Sequence, residues 1–208
     1  MELHEVLQEQ RVLAVLRGDD AAGVVAAAEV LAGAGIGAIE VTWTVADAER
    51  VVTTLRERLP SHVIGAGTLT TPGEVARAVG AGAQFVVSPG SPAELLDALL
   101  GSGVPALPGV LTPGEVVAAT AAGATAVKLF PAGAFGPGYL GQLRGPFPTL
   151  EVVPTGGIDV PSVGDWIARG ALAVGLSTAL CSHEDVRRRD WGPVEARAHA
   201  ALRSRAPG

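Results

Sequence analysis

The chain has 208 residues, of which 48% are hydrophobic and 17% are charged, a composition that excludes an intrinsically disordered protein and indicates one compact domain. Its net charge of −6 argues against nucleic acid as a partner, because the phosphates would be repelled. The single cysteine, Cys181, excludes an internal disulfide and a metal site built from cysteines.

The amino-terminal segment MELHEVLQEQR is charged and amphipathic. We therefore predict a short helix over about residues 2–10 and no signal peptide. The apolar runs farther along the chain are short and interrupted by glycine and proline, which disfavours a membrane span. These features lead us to expect a cytoplasmic protein with a single domain over residues 1–208.

Short runs rich in Val, Ile and Leu alternate along the chain with alanine-rich stretches of helical period. The predicted strands are 12–16, 38–43, 62–67, 84–88, 104–108, 126–130, 151–155 and 172–176. The predicted helices are 20–33, 46–59, 72–80, 92–101, 113–122, 136–143, 161–169 and, last, about 193–204. A repeated strand–helix order is typical of parallel strands covered by helices.

Glycine and proline mark where these helices end and begin. Glycine suits a left-handed C-cap, and it follows five of the predicted helices, at Gly35, Gly82, Gly103, Gly123 and Gly170. Thr or Ser followed by Pro is typical of an N-cap and first turn, and it occurs at Thr71-Pro72, Ser91-Pro92 and Thr112-Pro113. The segments 71–83 and 112–124 nearly repeat each other, as expected of a fold built from a repeated unit.

Eight strand–helix units in one domain favour an α/β fold of the (β/α)₈ TIM-barrel type, preceded by the short N-terminal helix. A doubly wound open sheet is the alternative. Such a sheet usually has fewer strands, and no G-x-G-x-x-G sequence follows the first strand. The nearest match, Gly65-Ala66-Gly67-Thr68, lacks the third glycine and is a weak dinucleotide signal.

The carboxyl ends of the strands are where a barrel presents its active-site groups. The last residues of the strands and the first of the following loops are Arg17, Glu40, Thr42, Thr68, Ser88, Pro89, Pro108, Lys128, Phe130, Pro131, Thr155, Gly156, Gly157, Ser177 and Thr178. Side chains alternate faces along a strand. If Lys128 points into the barrel, Ala126 and Phe130 do too, while Val127 and Leu129 face the helices.

Lys128 is the only lysine among 15 Lys and Arg residues, and it lies in an apolar run. Arginine can replace a lysine that supplies only a fixed charge, but it cannot replace an amine that must lose its proton. Burial among apolar neighbours disfavours the charged ammonium and frees the lone pair, which can condense with a ketone to a Schiff base. The alternative is a lysine retained by chance, with its ammonium reaching the barrel rim.

Glu40 interrupts the apolar strand GAIEVTW, where it shares a face with Thr42 opposite Ile39 and Val41. A buried carboxylate is unfavourable unless it is paired. Beside an imine-forming lysine, a carboxyl group is the natural proton shuttle. The alternative is a structural ion pair with Arg17, whose guanidinium could instead clamp a substrate carboxylate through two hydrogen bonds.

Two glycine-containing segments follow the last two strands, where barrels often hold phosphate. They are Thr155-Gly156-Gly157 and Gly175-Leu176-Ser177-Thr178. Glycine lets backbone N–H groups approach an anion closely. Tight turns without a ligand are the alternative for both segments.

Two further groups of residues carry no predicted chemistry. The histidines His4, His62, His183 and His199 are scattered and none ends a predicted strand, so we expect no metal site. A Schiff base on Lys128 would supply the electron sink by itself, so we also expect no cofactor. The run Arg187-Arg188-Arg189 is interpreted as a solvated turn.

Taken in order, the segments VLAVLR, AIEVTWT, IGAGTL, GAQFVVSPG, PALPGVLTPGE, AVKLFPAG, GPFP and VVPTGGI resemble the bacterial 2-keto-3-deoxy-6-phosphogluconate (KDPG) aldolases, many of which also act on 2-keto-4-hydroxyglutarate (KHG). The resemblance covers roughly residues 5–182. It implies a class I, Schiff-base aldolase with a (β/α)₈ barrel, usually a homotrimer. Such an enzyme cleaves KDPG to pyruvate and glyceraldehyde 3-phosphate without a cofactor.

The resemblance also implies roles by position. Lys128 in KLFP is similar to the Schiff-base lysine, and Glu40 in IEVT to the general acid and base. Arg17 in VLR and Thr68 in GAGT are similar to the contacts of the pyruvyl carboxylate, and Gly156-Gly157 in PTGG to part of the phosphate cradle. The remaining substrate-binding candidates are Pro89, Phe130, Thr155, Ser177 and Thr178.

Two positions depart from the family pattern. Many relatives carry an arginine four residues after the strand-two glutamate, where this chain has Thr44, so we assign the anion contact to Arg17. The Gly-Ser that follows strand eight in the family reads Ser177-Thr178, which adds a side chain where backbone approaches phosphate. The alternative substrate is therefore another 2-keto-3-deoxy acid, unphosphorylated or epimeric.

Two other function classes stay open at this point. A metal-dependent aldolase or phosphosugar epimerase would need His or Asp ligands at strand ends. A non-catalytic binder of a phosphorylated ligand would need no nucleophile at all.

Overall fold

The structure is a computed structural model that describes residues 2–204. Its strands are β1 (Val12–Leu16), β2 (Ala38–Thr42), β3 (Val63–Gly67), β4 (Val86–Val87), β5 (Ala106–Leu107), β6 (Gly109–Val110), β7 (Ala126–Leu129), β8 (Glu151–Pro154) and β9 (Val174–Leu176). Its helices are α1 (Leu3–Gln10), α2 (Ala21–Gly33), α3 (Ala48–Arg58), α4 (Pro72–Gly80), α5 (Ala93–Leu100), α6 (Pro113–Ala121), α7 (Pro137–Arg144), α8 (Val163–Ala168), α9 (His183–Arg188) and α10 (Gly192–Ser204), with a 3₁₀ turn at Ala132–Ala134. Within residues 2–204, every helix is too short or too polar to traverse a lipid bilayer.

The strands pair in parallel and form two arcs of a curled sheet. One arc has the order β5-β4-β3-β2-β1-β9 and the other the order β6-β7-β8. Strand–helix units follow one another around the sheet, and the predicted α/β barrel fold is confirmed. The hydrogen-bonded ladder is interrupted at the two seams where the arcs meet.

One seam lies within the predicted fifth strand, which the structure divides into β5 and β6 at Pro108. Proline has no backbone N–H, so the ladder cannot pass through it unbroken. The Pro108 carbonyl still accepts a hydrogen bond of 2.9 Å from the N–H of Lys128. At the other seam, Thr155 and Gly175 form a single parallel bridge between the ends of β8 and β9.

The side chains of β7 alternate between two hydrophobic clusters. Ala126 belongs to the cluster inside the barrel, whereas Val127 and Leu129 belong to the cluster between strands and helices. Because faces alternate along a strand, Lys128 points into the barrel. The predicted facing of this strand is confirmed.

The same alternation holds on β2. Ala38 belongs to the inner cluster, and Ile39 and Val41 belong to the outer one. Glu40 therefore also faces the interior, as the sequence pattern predicted.

Helix α1 covers the amino-terminal end of the barrel. Leu3, Val6 and Leu7 are at most 5% exposed and join the inner hydrophobic cluster. His4 on the same helix places Nε2 2.8 Å from Oε1 of Glu151, the first residue of β8. The end of the barrel opposite the strand carboxyl termini is therefore closed by apolar side chains.

Most predicted helix boundaries are confirmed. The five predicted C-cap glycines all have positive φ, from +80° at Gly103 to +104° at Gly123. Thr71 and Thr112 cap α4 and α6 through their side chains, and the glutamate three residues later returns a bond to each. These capping boxes fix where two helices start after their strands.

The predicted N-cap at Ser91 is wrong. Helix α5 begins at Ala93 with Pro92 in the cap position and no side-chain cap. The Ser91 hydroxyl instead donates a hydrogen bond of 2.9 Å to the carbonyl of Gly109. The Ser91 side chain therefore stabilises the seam next to Pro108 and does not cap the helix.

The predicted turn at Arg187-Arg188-Arg189 is also wrong for its first two residues, which end helix α9. Both pair with Glu184 one turn earlier, at 2.6 Å for Arg188 Nε to Glu184 Oε1. Only Arg189 leaves the helix, with φ +53°. All three residues are solvent-exposed, as predicted.

Candidate active site

Lys128 and Glu40 face each other across the interior of the barrel. Lys128 Nζ lies 3.5 Å from Glu40 Oε1, although β7 and β2 belong to different arcs of the sheet. The lysine is 5% exposed and the glutamate is fully buried. Two residues selected separately from the sequence are thus one buried pair, which brings an amine and an acid–base group within reach of the same reacting atom.

The carboxylate of Glu40 has no hydrogen-bond partner among residues 2–204. Its distance from Lys128 Nζ suits an ion pair and is longer than a charge-assisted hydrogen bond of about 2.7–2.9 Å. The ion pair with Arg17 considered above does not form: Arg17 is exposed and has no ionic partner in the described part of the chain. Buried acceptors are rarely left unpaired, so both carboxylate oxygens are available to a ligand.

Phe130 extends the site from β7 towards the loop after β8. The centre of its ring lies 5.5 Å from Lys128 Nζ, within cation–π range. The peptide bond to Pro131 is cis. A Cβ on Gly156 would lie 2.7 Å from Phe130 Cε2, so the ring packs directly on the Gly156 backbone.

The loops after β7 and β8 run side by side. Ala132 N–H donates to the carbonyl of Thr155 at 2.9 Å, and Gly133 N–H donates to that of Gly156 at 2.8 Å. Gly156 and Gly157 both have positive φ, at +91° and +71°, which glycine adopts without strain. The structure therefore places the predicted Thr155-Gly156-Gly157 segment next to the chain that follows Lys128.

The second predicted phosphate segment lies beside the first. Thr155 is buried and packs on Gly175 of β9, where an added Cβ would be 2.9 Å from Thr155 Cγ2. Ser177 is the first residue after β9. Its carbonyl accepts hydrogen bonds of 2.8 and 3.0 Å from the N–H groups of Leu180 and Cys181. Ser177 is half-buried and Thr178 is exposed.

Helix α9 holds the loop after β9 in place. Ser182 caps this helix and shares a capping box with Asp185, and Arg197 of α10 lies 2.6 Å from Asp185 Oδ2. Partial burial raises the pKa of Asp185, but hydrogen bonds from Ser182 and Arg197 outweigh it and leave the pKa below its ordinary value. The aspartate is therefore a charged anchor for this loop.

Arg17, Thr68 and Pro89 follow the carboxyl ends of β1, β3 and β4. Thr68 is half-buried and has φ +59°, a left-handed conformation that is uncommon outside glycine. Within residues 2–204, no hydrogen bond or ion pair joins these three residues to Lys128 or Glu40. They border the same end of the barrel without contacting the buried pair through polar groups.

Two buried residues at the carboxyl ends of β3 and β4 received no specific role from the sequence. Ser88 Oγ accepts a hydrogen bond of 3.0 Å from the N–H of Gly109, next to the Pro108 seam. Gly67 lies against the side chain of Glu40. The alternating glycines of GAG are the only sequence signal for Gly67, and they resemble a dinucleotide motif rather than a position beside a carboxylate.

The histidines lie outside this group. His4 pairs with Glu151 at the closed end, and His183 Nδ1 is 3.9 Å from Asp19 Oδ2 on the surface. In the part of the chain that the structure describes, no three His, Cys, Asp or Glu side chains are grouped as a metal site requires.

Comparison with known proteins agrees with this geometry. A family model for KDPG and KHG aldolases matches residues 3–197. The 2-dehydro-3-deoxy-phosphogluconate aldolase of Pseudomonas aeruginosa is 39% identical over 197 residues, which cover 94% of this chain and 89% of that protein.

Solved structures of similar chains share the fold. A KDPG aldolase from Legionella pneumophila, with pyruvate captured at low pH as a covalent carbinolamine intermediate, has a TM-score of 0.89 and 30% identity over 97% of this chain and 98% of its own. A cube-shaped protein cage designed by fusing symmetric oligomeric domains has a TM-score of 0.85 and 27% identity over 94% of this chain and 72% of its own.

Proposed function

Because this chain belongs to the KDPG and KHG aldolase family, we propose that it is a class I aldolase that cleaves KDPG to pyruvate and glyceraldehyde 3-phosphate through a Schiff base on Lys128. One observation carries the proposal: the only lysine of the chain is buried 3.5 Å from a fully buried carboxylate. Membership of the family makes the protein a lyase. KHG, cleaved to pyruvate and glyoxylate, is a second substrate of the proposal.

The first half of the reaction forms the imine. Lys128 first gives a proton to Glu40 and becomes a neutral amine. This amine adds to the C2 carbonyl of the substrate, and Glu40 protonates the oxygen to a hydroxyl. The nitrogen then loses a second proton to the carboxylate of Glu40. Glu40 then gives that proton to the C2 hydroxyl, and water leaves. The product is a protonated imine, which attracts electrons from the adjacent carbon chain.

The second half breaks the carbon–carbon bond. Glu40 removes the proton of the C4 hydroxyl, the C3–C4 bond breaks, and its electron pair moves into the imine to give an enamine. The C4 oxygen becomes the carbonyl of the departing aldehyde. Glu40 returns the proton to C3, and water hydrolyses the imine to release pyruvate and the free amine.

Arg17 and Thr68 hold the carboxylate of the pyruvyl half in this proposal. The environment of Arg17 supports this role, because the residue is exposed at the end of β1 and has no ionic partner among the described residues. A guanidinium can bind a carboxylate through two parallel hydrogen bonds. Fixing this end of the substrate brings C2 to the amine of Lys128, a positioning effect. Pro89 and Phe130 border the same space.

The aldehyde half lies towards the loops after β8 and β9. The proposal assigns its phosphate to Gly156-Gly157 and Ser177-Thr178, with Thr155 buried between them. Support comes from the positive φ angles of the two glycines, which turn backbone N–H groups towards an anion. The side chain of Ser177 narrows this region relative to glycine, so phosphate binding is the part of the proposal that a substrate series tests most directly.

Borohydride reduction in the presence of pyruvate tests the central step. We expect one pyruvyl adduct per chain, located by peptide mass spectrometry at Lys128, and none without pyruvate. Arg203→Lys, which places a second lysine on the exposed face of α10, serves as the control and should stay unlabelled at residue 203. A protein that turns over KDPG but carries no adduct at Lys128 would contradict the proposal.

Cleavage rates then define the aldehyde half. We expect KDPG to be cleaved faster than KHG, and faster than the same sugar acid without phosphate or with the opposite configuration at C4. Pyruvate release coupled to a lactate dehydrogenase assay measures all four. A faster unphosphorylated or epimeric substrate would replace KDPG in the proposal while leaving the chemistry at Lys128 unchanged.

The proposal includes a homotrimer, assembled through the face formed by α6 and α7. Between residues 105 and 150 the charged residues are Glu115, which caps α6, Lys128, which is buried, and Arg144, which donates to the carbonyls of Pro148 and Gly170. The large hydrophobic residues that are exposed among residues 2–204, Val117 and Phe135, both belong to this segment. Interface cores are depleted of charge and rich in aromatic residues.

Light scattering after size-exclusion chromatography tests the assembly. We expect a trimer for the wild-type protein and monomers for Val117→Glu combined with Phe135→Glu. Ala22→Glu, on the exposed surface of α2, is the control and should stay trimeric. A wild-type monomer would contradict this part of the proposal and leave the chemistry untouched.

The proposed location is the cytoplasm. The free thiol of Cys181 is compatible with a reducing compartment. Cell fractionation with an antibody against the protein measures this directly, and recovery from a secreted or membrane fraction would contradict it.

A further inference from the structure

We infer that Gly67 is a positioning residue for Glu40: the missing side chain leaves the space in which the carboxylate lies and holds it beside Lys128. The inference rests on the proposed function, in which Glu40 moves protons for a Schiff base on Lys128. It concerns a residue of β3 that itself touches neither the amine nor the substrate in that proposal.

The contact between Gly67 and Glu40 is unusually close for a buried pair. A Cβ on Gly67 would lie 2.6 Å from Glu40 Cγ, and nearer still to the carboxyl carbon and to Oε1. Real Cβ atoms essentially never approach another heavy atom within 3.0 Å. The carboxyl group therefore fills the volume that any side chain at residue 67 would need.

The register of the sheet shows why the glutamate reaches this position. Glu40 pairs with Gly65 in the ladder, and Thr42 pairs with Gly67. The space beside Gly65 is occupied by the fully buried ring of Phe85, since a Cβ on Gly65 would lie 2.5 Å from Phe85 Cγ. The Glu40 side chain runs instead towards the carboxyl end of the strands and lies over Gly67.

Backbone conformation does not demand glycine at this position. Gly67 is a strand residue, its φ is not among the positive ones of residues 2–204, and its carbonyl accepts a hydrogen bond of 2.7 Å from the N–H of Trp43. Alanine adopts this extended conformation without strain. The need for glycine is therefore steric, and a methyl group at residue 67 displaces the carboxyl group from its place 3.5 Å from Lys128 Nζ.

The test uses four variants, namely Gly67→Ala, Glu40→Ala, the double variant with both changes, and Gly73→Ala. Gly73 is the matched control, because it lies in α4 directly after β3 and a Cβ there would meet nothing within 4 Å. The first readout is the exchange of the methyl protons of pyruvate for deuterium, followed by NMR, which requires both the imine and a proton-transfer group. The second readout is urea unfolding.

We expect Gly67→Ala to slow deuterium exchange by roughly 10²-fold, the loss expected when one acid–base group is displaced. Gly73→Ala should exchange at the wild-type rate. In the Glu40→Ala background, Gly67→Ala should change the exchange rate by less than about twofold, because the group that it displaces is already gone. A wild-type exchange rate in Gly67→Ala would overturn the inference. So would a double variant that exchanges much more slowly than Glu40→Ala.

Urea unfolding separates positioning from a general loss of structure. Gly67→Ala should lower the urea midpoint of the wild-type protein, whereas in the Glu40→Ala background it should raise the midpoint or leave it unchanged, since the new methyl group occupies vacated space. If Gly67→Ala alone fails to fold, the inference requires that the double variant folds; an unfolded double variant would contradict it.

The two proposals fail in distinguishable ways. A wild-type protein that forms no pyruvate adduct would contradict the proposed function, but the unfolding comparison would still report whether Gly67 makes room for Glu40. A wild-type protein that forms the adduct, with Gly67→Ala behaving like Gly73→Ala, would remove the present inference alone.

Discussion

The two ends of the barrel interior differ in what they contain. At the amino-terminal end, Leu3, Val6 and Leu7 of α1 pack into the apolar inner cluster. At the carboxyl end, the interior holds Lys128 and Glu40, both buried. Burial of apolar surface stabilises a fold, whereas burial of charge is unfavourable unless the charge is paired. One end therefore supplies stability, and the other holds the reactive groups, whose carboxylate has no hydrogen-bond partner among residues 2–204.

Replacing the lysine at the open end should have the largest effect on activity. We expect Lys128→Arg to lower kcat/KM for KDPG by on the order of 10⁴-fold or more, because arginine keeps the charge but cannot form the imine. Steady-state kinetics measure the loss, and circular dichroism should show an intact fold. Arg203→Lys is the matched control and should keep wild-type kinetics. Activity of Lys128→Arg within tenfold of wild type would reject the assignment.

Replacing the carboxylate should have the next largest effect. We expect Glu40→Gln to lower kcat by roughly 10²–10⁴-fold, since the amide has nearly the same shape but cannot transfer protons. Glu49→Gln removes a carboxylate that is 51% exposed and pairs with Arg77, and it should leave kcat unchanged. Single-turnover measurements with borohydride should show a slower approach to the Lys128 adduct. An unchanged kcat would assign proton transfer to another group.

At the closed end, the expected effect is on stability rather than on rate. Leu7 is 1% exposed, and we expect Leu7→Ala to lower the free energy of unfolding by about 2–5 kcal/mol. Gln8 is exposed on the same helix and is the control, and Gln8→Ala should cost less than about 0.5 kcal/mol. Urea unfolding measures both, and kcat should stay at the wild-type value in the folded variants. A large loss of kcat in Leu7→Ala would show that the two ends are coupled.

The smallest effect concerns the helix caps that border the open end. Hydrogen bonds from the backbone N–H groups of Thr112 and Leu111, and then from the Thr112 hydroxyl, lower the pKa of Glu115 and outweigh a small increase from burial. A carboxyl group with a lowered folded-state pKa stabilises the fold above its usual value of 4.5, and this stabilisation is lost as pH falls through the folded-state pKa.

We therefore expect Glu115→Gln to cost about 1 kcal/mol or less at pH 7, and the difference from wild type to shrink below pH 4.5. The matched control is Glu94→Gln, because Glu94 lies in the first turn of α5, which has no side-chain cap. Urea unfolding at several pH values measures both variants. A pH-independent difference for Glu115→Gln would show that its carboxylate is not the stabilising group.

Local sequence signals predicted most of the fold correctly. The strand–helix alternation, the five C-cap glycines and the capping boxes at Thr71 and Thr112 are found as expected. Ser91 shows where such signals fail: its Ser-Pro sequence suits an N-cap, but its hydroxyl bonds to Gly109, eighteen positions away. Helix α9 was missed because six residues are too few for a periodic pattern.

The same distinction between local signals and tertiary contacts applies to the candidate site. Because side chains alternate along a strand, the sequence predicted that Lys128 shares a face with Ala126 and that Glu40 shares a face with Thr42. The closure of the sheet brings Lys128 Nζ to 3.5 Å from Glu40 Oε1, leaves Arg17 unpaired with Glu40, and places the carboxylate over Gly67. Facing depends on neighbouring residues in one strand, whereas these distances depend on how strands far apart in the chain close around a shared interior.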